Sequence, residues 1–381
     1  ADVVLNVLNG NLSIDTVTSG DDLTIKVAGT DGETSMLLGQ TRAAGDLNLT
    51  TQSGDIAQKS GTDVQADTTG ALTTLSAGGD IVLNNATNDL SNLTVTAGQD
   101  VTVTDRDGLN LFDVKTTGDF NLNANGNVYV QDKTKTDAGK TITVTLMNGD
   151  LDLGEDAVLA ADKDVSLNVA AGNLRSLEKS EITAGQSVMA NIAGDATFNG
   201  TSVITAGLDV TAKLTGNWTS EGVHTITAKA GAVDLEATKT GAVKFGGTTT
   251  IIGETGVSLK TADGEIATNG TTNIAAPNGD VQLTTSNGDV SLAGITQVTG
   301  QGIAIDISGD ADLMVAGKTD LTATTGKITA TLDDGNISFD GITTVKAKTD
   351  VAMTTTGSGD TNFANTTLIA AETGSVALIS A

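Results

Sequence analysis

Residues 75–105 read LSAGGDIVLNNATNDLSNLTVTAGQDVTVTD and contain two short runs of alternating apolar residues, IVL and VTVT. Each run follows a glycine and one or two polar residues. Alternation with a period of two, in segments rich in Val, Ile and Thr, is typical of β-strands with opposite-facing side chains. The stretch therefore predicts short strands separated by tight turns.

The same pattern recurs along the whole chain at a spacing of about 23 residues, which is in the range of a solenoid repeat. GDLDLGEDAVLAADKDVSLNVA (149–170) and GAVKFGGTTTIIGETGVSLKTA (241–262) share one order of elements. Each repeat begins with glycine and a polar residue, followed by a run in which two apolar residues flank one other residue. A short apolar pair comes next. After a second glycine or polar turn, the repeat ends in another run of two apolar residues that flank one other residue. The repeat starts are Gly10, Gly32, Gly54, Gly79, Gly108, Gly126, Gly149, Gly172, Gly194, Gly216, Gly241, Gly264, Gly288, Gly309, Gly335 and Gly359.

Short turns between like strands, repeated many times, predict a chain that winds into stacked coils. The density of glycine and threonine disfavours helix. We therefore predict an all-β, right-handed parallel β-helix (β-solenoid) of about 16 coils, each of about 23 residues with three short strands. Residues 1–381 are expected to form a single continuous solenoid that is a segment of a longer repeat array.

Inward columns of side chains follow from the alternation. The second position after the opening glycine is predicted to face inward at Leu12, Ile56, Ile81, Val128, Leu151, Leu174, Trp218, Val243, Ile266, Val290 and Ile337. The fourth position is predicted to face inward at Ile14, Leu83, Val130, Leu153, Phe198, Phe245, Leu292, Leu313, Phe339 and Phe363. Inward pairs in the last run of each coil include Leu47 and Leu49, Val101 and Val103, Ile142 and Val144, Val165 and Leu167, Val233 and Leu235, Val257 and Leu259, and Ile303 and Ile305. The pattern is irregular at GLNLFDVKTTGDF (108–120), where we expect a distorted or merged coil.

Composition narrows the possible functions. The chain of 381 residues has 47 acidic and 20 basic residues, a formal charge of −27, and no cysteine. A nucleic-acid partner is not expected because phosphates need a basic surface. No apolar run approaches the roughly 18 residues that cross a membrane, so membrane insertion is not expected either.

Residues that could carry chemistry are few. Gly-Asp occurs eleven times, from Gly20-Asp21 to Gly359-Asp360, and suits either calcium or a turn in which Asp caps nearby amides. We favour the turn and expect at most weak, incidental calcium binding. His224 is the only histidine and is predicted at the surface. A glycosidase-like or lyase-like carboxylate pair is conceivable. The candidate acidic pairs, however, fall in predicted turns: Asp21–Asp22, Glu155–Asp156 and Asp333–Asp334. We therefore predict no enzyme and assign no catalytic, cofactor-binding or metal-binding residue.

The segments AGGDIVL, TAGQDVTVT, AAGDLNLT, TAGLDVTA and NGDVSLAG resemble repeats of filamentous-haemagglutinin-like exoproteins, the bacterial adhesins exported by two-partner secretion. The resemblance covers nearly the whole chain. It implies a right-handed β-helix shaft, passage across an outer membrane, and a role in adhesion or surface filaments. The amino-terminal secretion domain of that family is not recognisable in this sequence, and the coils are longer than its commonest repeats.

The sequence thus predicts an extracellular structural and adhesive rod on a bacterial surface, which gives reach and surface display. The alternative is a subunit of an extracellular filament that assembles by end-to-end β-stacking. Less favoured are glycan binding on the Thr/Asn-rich faces and a polysaccharide-degrading β-helix. The expected partners are other copies or repeats of the same protein, or a host or microbial surface.

Overall fold

The structure is a computed structural model that describes residues 1–29 and 34–380. These residues form 47 β-strands and no helix, and the chain divides into two compact units, Ala1–Ala184 and Gly185–Ala381. None of the described residues therefore belongs to a helix that could cross a membrane. The repeat start assigned to Gly32 lies outside the described residues.

The first unit contains strands β1 to β22. In chain order they are Val3–Val7, Leu12–Ser19, Leu23–Val27, Met36–Ala43, Leu47–Thr51, Ile56–Gln58, Val64–Ala66, Leu72–Ser76, Ile81–Leu83, Asp89–Leu90, Asn92–Ala97, Val101–Asp105, Leu109–Thr116, Phe120–Ala124, Val128–Val130, Lys135–Ala138, Ile142–Leu146, Leu151–Leu153, Ala157–Ala161, Val165–Val169, Leu174–Ser176 and Lys179–Ala184.

The second unit contains strands β23 to β47. In chain order they are Val188–Ile192, Ala196–Phe198, Thr201–Ala206, Val210–Leu214, Trp218–Ser220, Val223–Ala228, Ala232–Ala237, Val243–Phe245, Thr248–Gly253, Gly256–Thr261, Ile266–Thr268, Thr271–Ala276, Asp280–Thr285, Val290–Leu292, Ile295–Gly300, Ile303–Asp310, Leu313–Val315, Lys318–Ala323, Ile328–Asp334, Ile337–Phe339, Ile342–Ala347, Val351–Thr355, Thr361–Phe363, Thr367–Ala371 and Val376–Ser380.

Equivalent strands of successive coils pair in parallel within each unit. In the first unit, β18 pairs with β15 and β21, so Leu151 is aligned with Val128 in one neighbouring coil and Leu174 in the other. In the second unit, β27 pairs in the same way with β30, and Trp218 is aligned with Val243. The prediction of a parallel β-solenoid is confirmed, with about 16 turns of about 23 residues.

The residues predicted to face inward form the core, with two departures in burial. Two of them also align differently from the prediction, since Ile81 is aligned with Val101 of the last run and Leu313 with Val290 of the second-position column. The last-run pairs and nearly all members of the two columns are buried. Leu12 is partly exposed because, within the described part of the chain, β2 pairs with β4 alone. Phe363 is 44% exposed: its ring stacks on Phe339 with centroids 5.2 Å apart, and no described coil covers its other face.

Large and small side chains alternate in the core of the second unit. Trp218 is aligned with the small Ala196, while Ser220 lies between Phe198 and Phe245 in the next column. The Phe198 and Trp218 ring centroids are 4.7 Å apart. Around Phe198, Trp218 and Phe245, a narrow coil thus accommodates large rings because each is matched by a small residue in a neighbouring coil.

The irregular segment is a merged coil, as predicted. The eight-residue strand β13 pairs with β15 at its start and with β16 at its end, so one continuous strand replaces two strands and the turn between them. On its other side, the pairing of β13 with β11 contains a register shift between Leu93 and Val95.

Candidate functional site

Most Asp and Asn side chains at the turns hold one coil to the next. The Asp150 carboxylate accepts a hydrogen bond from the Asn173 amide at 2.8 Å, and Asp209 accepts one from Ala232 at 2.8 Å. The same contact recurs between Asp55 and Asp80, Asp119 and Thr141, Asp280 and Gly302, Asp289 and Asp312, Asn336 and Asp360, and Asp350 and Ser375. The turn interpretation is confirmed for the Gly-Asp pairs that end in Asp55, Asp119, Asp150, Asp280 and Asp289, and the capped amide belongs to the neighbouring coil. We call this series the carboxylate–amide ladder.

Two features show how closely the coils approach along this ladder. A Cβ atom at Gly288 would lie 1.9 Å from the Gly264 carbonyl oxygen, so only glycine fits before Asp289. The hydrogen bond from the Ser375 amide holds the pKa of Asp350 below its usual value. The charged carboxylate is therefore the form that the folded turn favours.

The three acidic pairs considered for catalysis are part of the same framework. Asp22 accepts the Asp46 amide at 2.8 Å, and Asp334 accepts the Ser358 amide at 3.0 Å. Asp156 forms an ion pair with Lys179 at 2.5 Å. The described residues contain no group of three or more His, Cys, Asp or Glu side chains placed to hold a metal ion.

His224 is not on the surface, and the surface prediction was wrong. It is 4% exposed, its Nδ1 lies 2.9 Å from the Ser202 hydroxyl, and its Nε2 accepts the Gly222 amide at 2.8 Å. Burial lowers the pKa of His224 to about 4, so the imidazole is neutral at pH 7. Strand β28 alternates so that His224 faces inward together with Ile226 and Ala228. The sequence contains this signal, because His224 is two residues before Ile226 in the same alternating run.

A second buried polar side chain was not singled out from the sequence. Asp105 is 2% exposed and accepts the amides of Leu90 at 2.8 Å and Asp107 at 3.2 Å. Burial raises the pKa of Asp105 to about 7. Its inward position is visible in the run VTVTD, where it continues the alternation of Val101 and Val103, and its contacts indicate a structural role.

A surface groove of about 360 Å³ lies beside the merged coil. Its lining includes Ser91, Asn110, Asn127, Tyr129 and Asp152. We call it the Tyr129 groove, because it contains the only tyrosine of the chain, and that residue is partly exposed.

Tyr129 is held in a fixed orientation. Its hydroxyl donates a hydrogen bond to Oδ1 of Asp132 at 2.6 Å. The same Oδ1 atom of Asp132 also accepts a hydrogen bond from the Glu155 amide at 3.0 Å. The hydrogen bond to Asp132, together with burial, raises the pKa of Tyr129 to about 12. A Cβ atom at Gly154 would lie 2.8 Å from the hydroxyl, so this glycine provides the space that the anchor needs.

Comparisons with known proteins give one similarity. A family model described as repeats of unknown function (DUF5649) matches residues 20–97. Neither the comparison with curated proteins nor the comparison with solved structures found a match. Over the matched range the chain is similar to a family of repeats, in agreement with the repeated coils of the fold.

Proposed function

We propose that the protein is an extracellular structural and adhesive rod of a bacterial surface or secreted filamentous protein. The observation that carries the proposal is the carboxylate–amide ladder. It uses side chains that could otherwise serve chemistry, such as Asp150 and Asp209, to fasten each coil to the next. A fold in which turns as well as strands bind the neighbouring coil suits a part that must resist bending and extension.

The outer surface is consistent with this role. The chain carries a formal charge of −27, and its outward strand positions are mostly small polar residues. Like charge keeps copies apart and opposes sideways aggregation of long sheets. The resemblance of the repeats to those of exported adhesins supports placement outside the cell.

Shape and assembly can be tested together on the purified chain. Small-angle scattering and electron microscopy over a range of protein concentrations should give thin, stiff particles of constant length. Particles that lengthen with concentration would favour the alternative of end-to-end filament assembly. Compact or flexibly bent particles would refute a rod.

Location and adhesion need a separate experiment in cells that produce the full-length protein. Protease added to intact cells should remove the protein while a cytoplasmic marker survives. Deletion of the repeat region should reduce attachment of the cells to host or microbial surfaces. A protein that is protected until the cells are lysed would contradict an extracellular role.

A further inference from the structure

The outer face of the first unit carries a row of four side chains that is unlike the rest of the surface. Asn110 is aligned with Tyr129, Tyr129 with Asp152, and Asp152 with Arg175, in four successive coils. The row therefore presents an amide, an aromatic ring, a carboxylate and a guanidinium in order, about 4.8 Å apart. The Tyr129 groove contains its first three members.

We propose that this row is a binding site for an extended, neutral oligosaccharide that lies along the stack of coils. An aromatic ring offers an apolar surface to the C–H face of a pyranose. Amide, carboxylate and guanidinium groups offer planar arrays of donors and acceptors to neighbouring hydroxyls. The rise of one coil is close to the length of one pyranose unit, so successive sugars would meet successive members of the row.

The site is organised before any ligand arrives. Tyr129 is anchored by Asp132, and the Asn110 amide donates to Asn92 Oδ1 at 2.8 Å. Arg175 is oriented by Asp150, with Nη1 2.6 Å from the carboxylate, and lies 3.5 Å from Asp152. Side chains that are already fixed lose little conformational entropy on binding.

The floor of the groove depends on the merged coil. A Cβ atom at Gly108 would lie 2.1 Å from the Asn127 carbonyl oxygen, so the backbone of the short coil lies directly against the next one. The Tyr129 groove is thus lined by the merged coil, through Leu109 and Asn110, and by the coil that follows it, through Asn127 and Tyr129.

Charge selects among saccharides. Asp132, Asp150 and Asp152 surround the row, whereas Arg175 is its one cation and is already paired. Uronic acids and sialic acids would be repelled by these carboxylates. The proposal therefore commits to neutral hexose or N-acetylhexosamine chains, and it goes beyond the structural role because binding could occur whether or not the chain acts as an adhesive.

The single tyrosine gives a direct readout. With ¹³C-labelled tyrosine, the full chain has one set of ring resonances by NMR. We would titrate it with cellohexaose, chitohexaose and mannohexaose, and with hexagalacturonate as the anionic probe. At least one neutral probe should shift the Tyr129 ring signals at concentrations up to about 10 mM, and hexagalacturonate should not. No shift with any neutral probe, or equal shifts with the anionic one, would overturn the proposal.

Variants test the same site by calorimetry with the best neutral probe. Tyr129→Ala should weaken binding at least about tenfold, and Tyr129→Phe, which keeps the ring but loses its anchor, should weaken it less. Thr219→Ala is the matched control, because Thr219 is an outward residue of the equivalent strand in the second unit. Binding that survives in a folded Tyr129→Ala variant, judged by its circular dichroism and melting temperature, would refute the proposal. So would equal losses in the Thr219→Ala variant.

Discussion

The carboxylate–amide ladder can be tested at a single contact. Asp289 accepts the Asp312 amide of the next coil at 2.8 Å. A hydrogen bond to a charged acceptor contributes about 1.5–3 kcal/mol. Water can replace part of that contribution because Asp289 is partly exposed. We expect Asp289→Ala to cost roughly 1–1.5 kcal/mol locally, which corresponds to about tenfold faster hydrogen exchange at the Asp312 amide.

Amide exchange suits this test better than a melting curve, because long repeat arrays do not unfold as one two-state unit. Asp289→Asn is the matched control: Asn336 makes the same contact to the Asp360 amide at 3.0 Å, so an amide oxygen can fill this position. That variant should retain most of the protection. Unchanged exchange in Asp289→Ala, or equal effects of the two substitutions, would show that the ladder does not stabilise the coils.

Three further predictions concern buried side chains. The pKa of His224 is about 4 in the folded chain and about 6.5 in the unfolded chain. The free energy of unfolding should therefore fall by roughly 3 kcal/mol as the pH drops from about 6.5 to about 4. His224→Thr should remove this loss in acid denaturation series. Asp105 has the opposite sign: its raised pKa of about 7 makes stability decrease as pH rises from about 4 to 7, and Asp105→Asn should flatten that dependence. Trp218→Ala should cost about 3–5 kcal/mol locally, measured as faster amide hydrogen exchange in β27 and its partner strands, whereas the outward change Thr219→Ala should cost little.

The regular part of the fold could be predicted because one physical rule repeats in each coil. Alternation after an opening glycine placed Leu153, Phe198 and Phe245 inward, and all three are buried. The alternation rule failed at Phe363, because it takes no account of the neighbouring coils. Phe363 has the right position in its strand, but it is exposed because burial of a stacked residue needs a coil on both sides.

The Tyr129 groove could not be derived from the sequence in the same way. The sequence predicted an irregular coil at 108–120. Which residues of different coils become neighbours depends on where the merged coil regains its register. The alignment of Asn110, Tyr129 and Asp152 is therefore a property of the pairing between coils rather than of any one repeat.

The error at His224 reveals a second rule of this core. The equivalent inward position of successive coils in the second unit is polar from Ser202 to Thr367. Its members are buried except Thr367, which is partly exposed: Ser202, His224, Thr249, Thr272, Thr296, Thr319 and Thr343. Some members find partners inside, as with Thr296 and Thr268, whose hydroxyls are 2.7 Å apart. His224 occupies one place in this column and uses the hydroxyl of Ser202 as its partner.

A polar column inside an aliphatic core favours one alignment of the coils. A slip of one residue exchanges the two faces of a strand, so in β28 it would bury Thr225 and Thr227 and expose Ile226. Thr also has a β-branched side chain, which fits a strand as well as Val does while adding a hydroxyl. The alternation of the strand is thus a better guide to the position of such residues than their polarity. It places Thr249, Thr272 and Thr343 inside although their hydroxyls have no hydrogen-bond partner among the described residues.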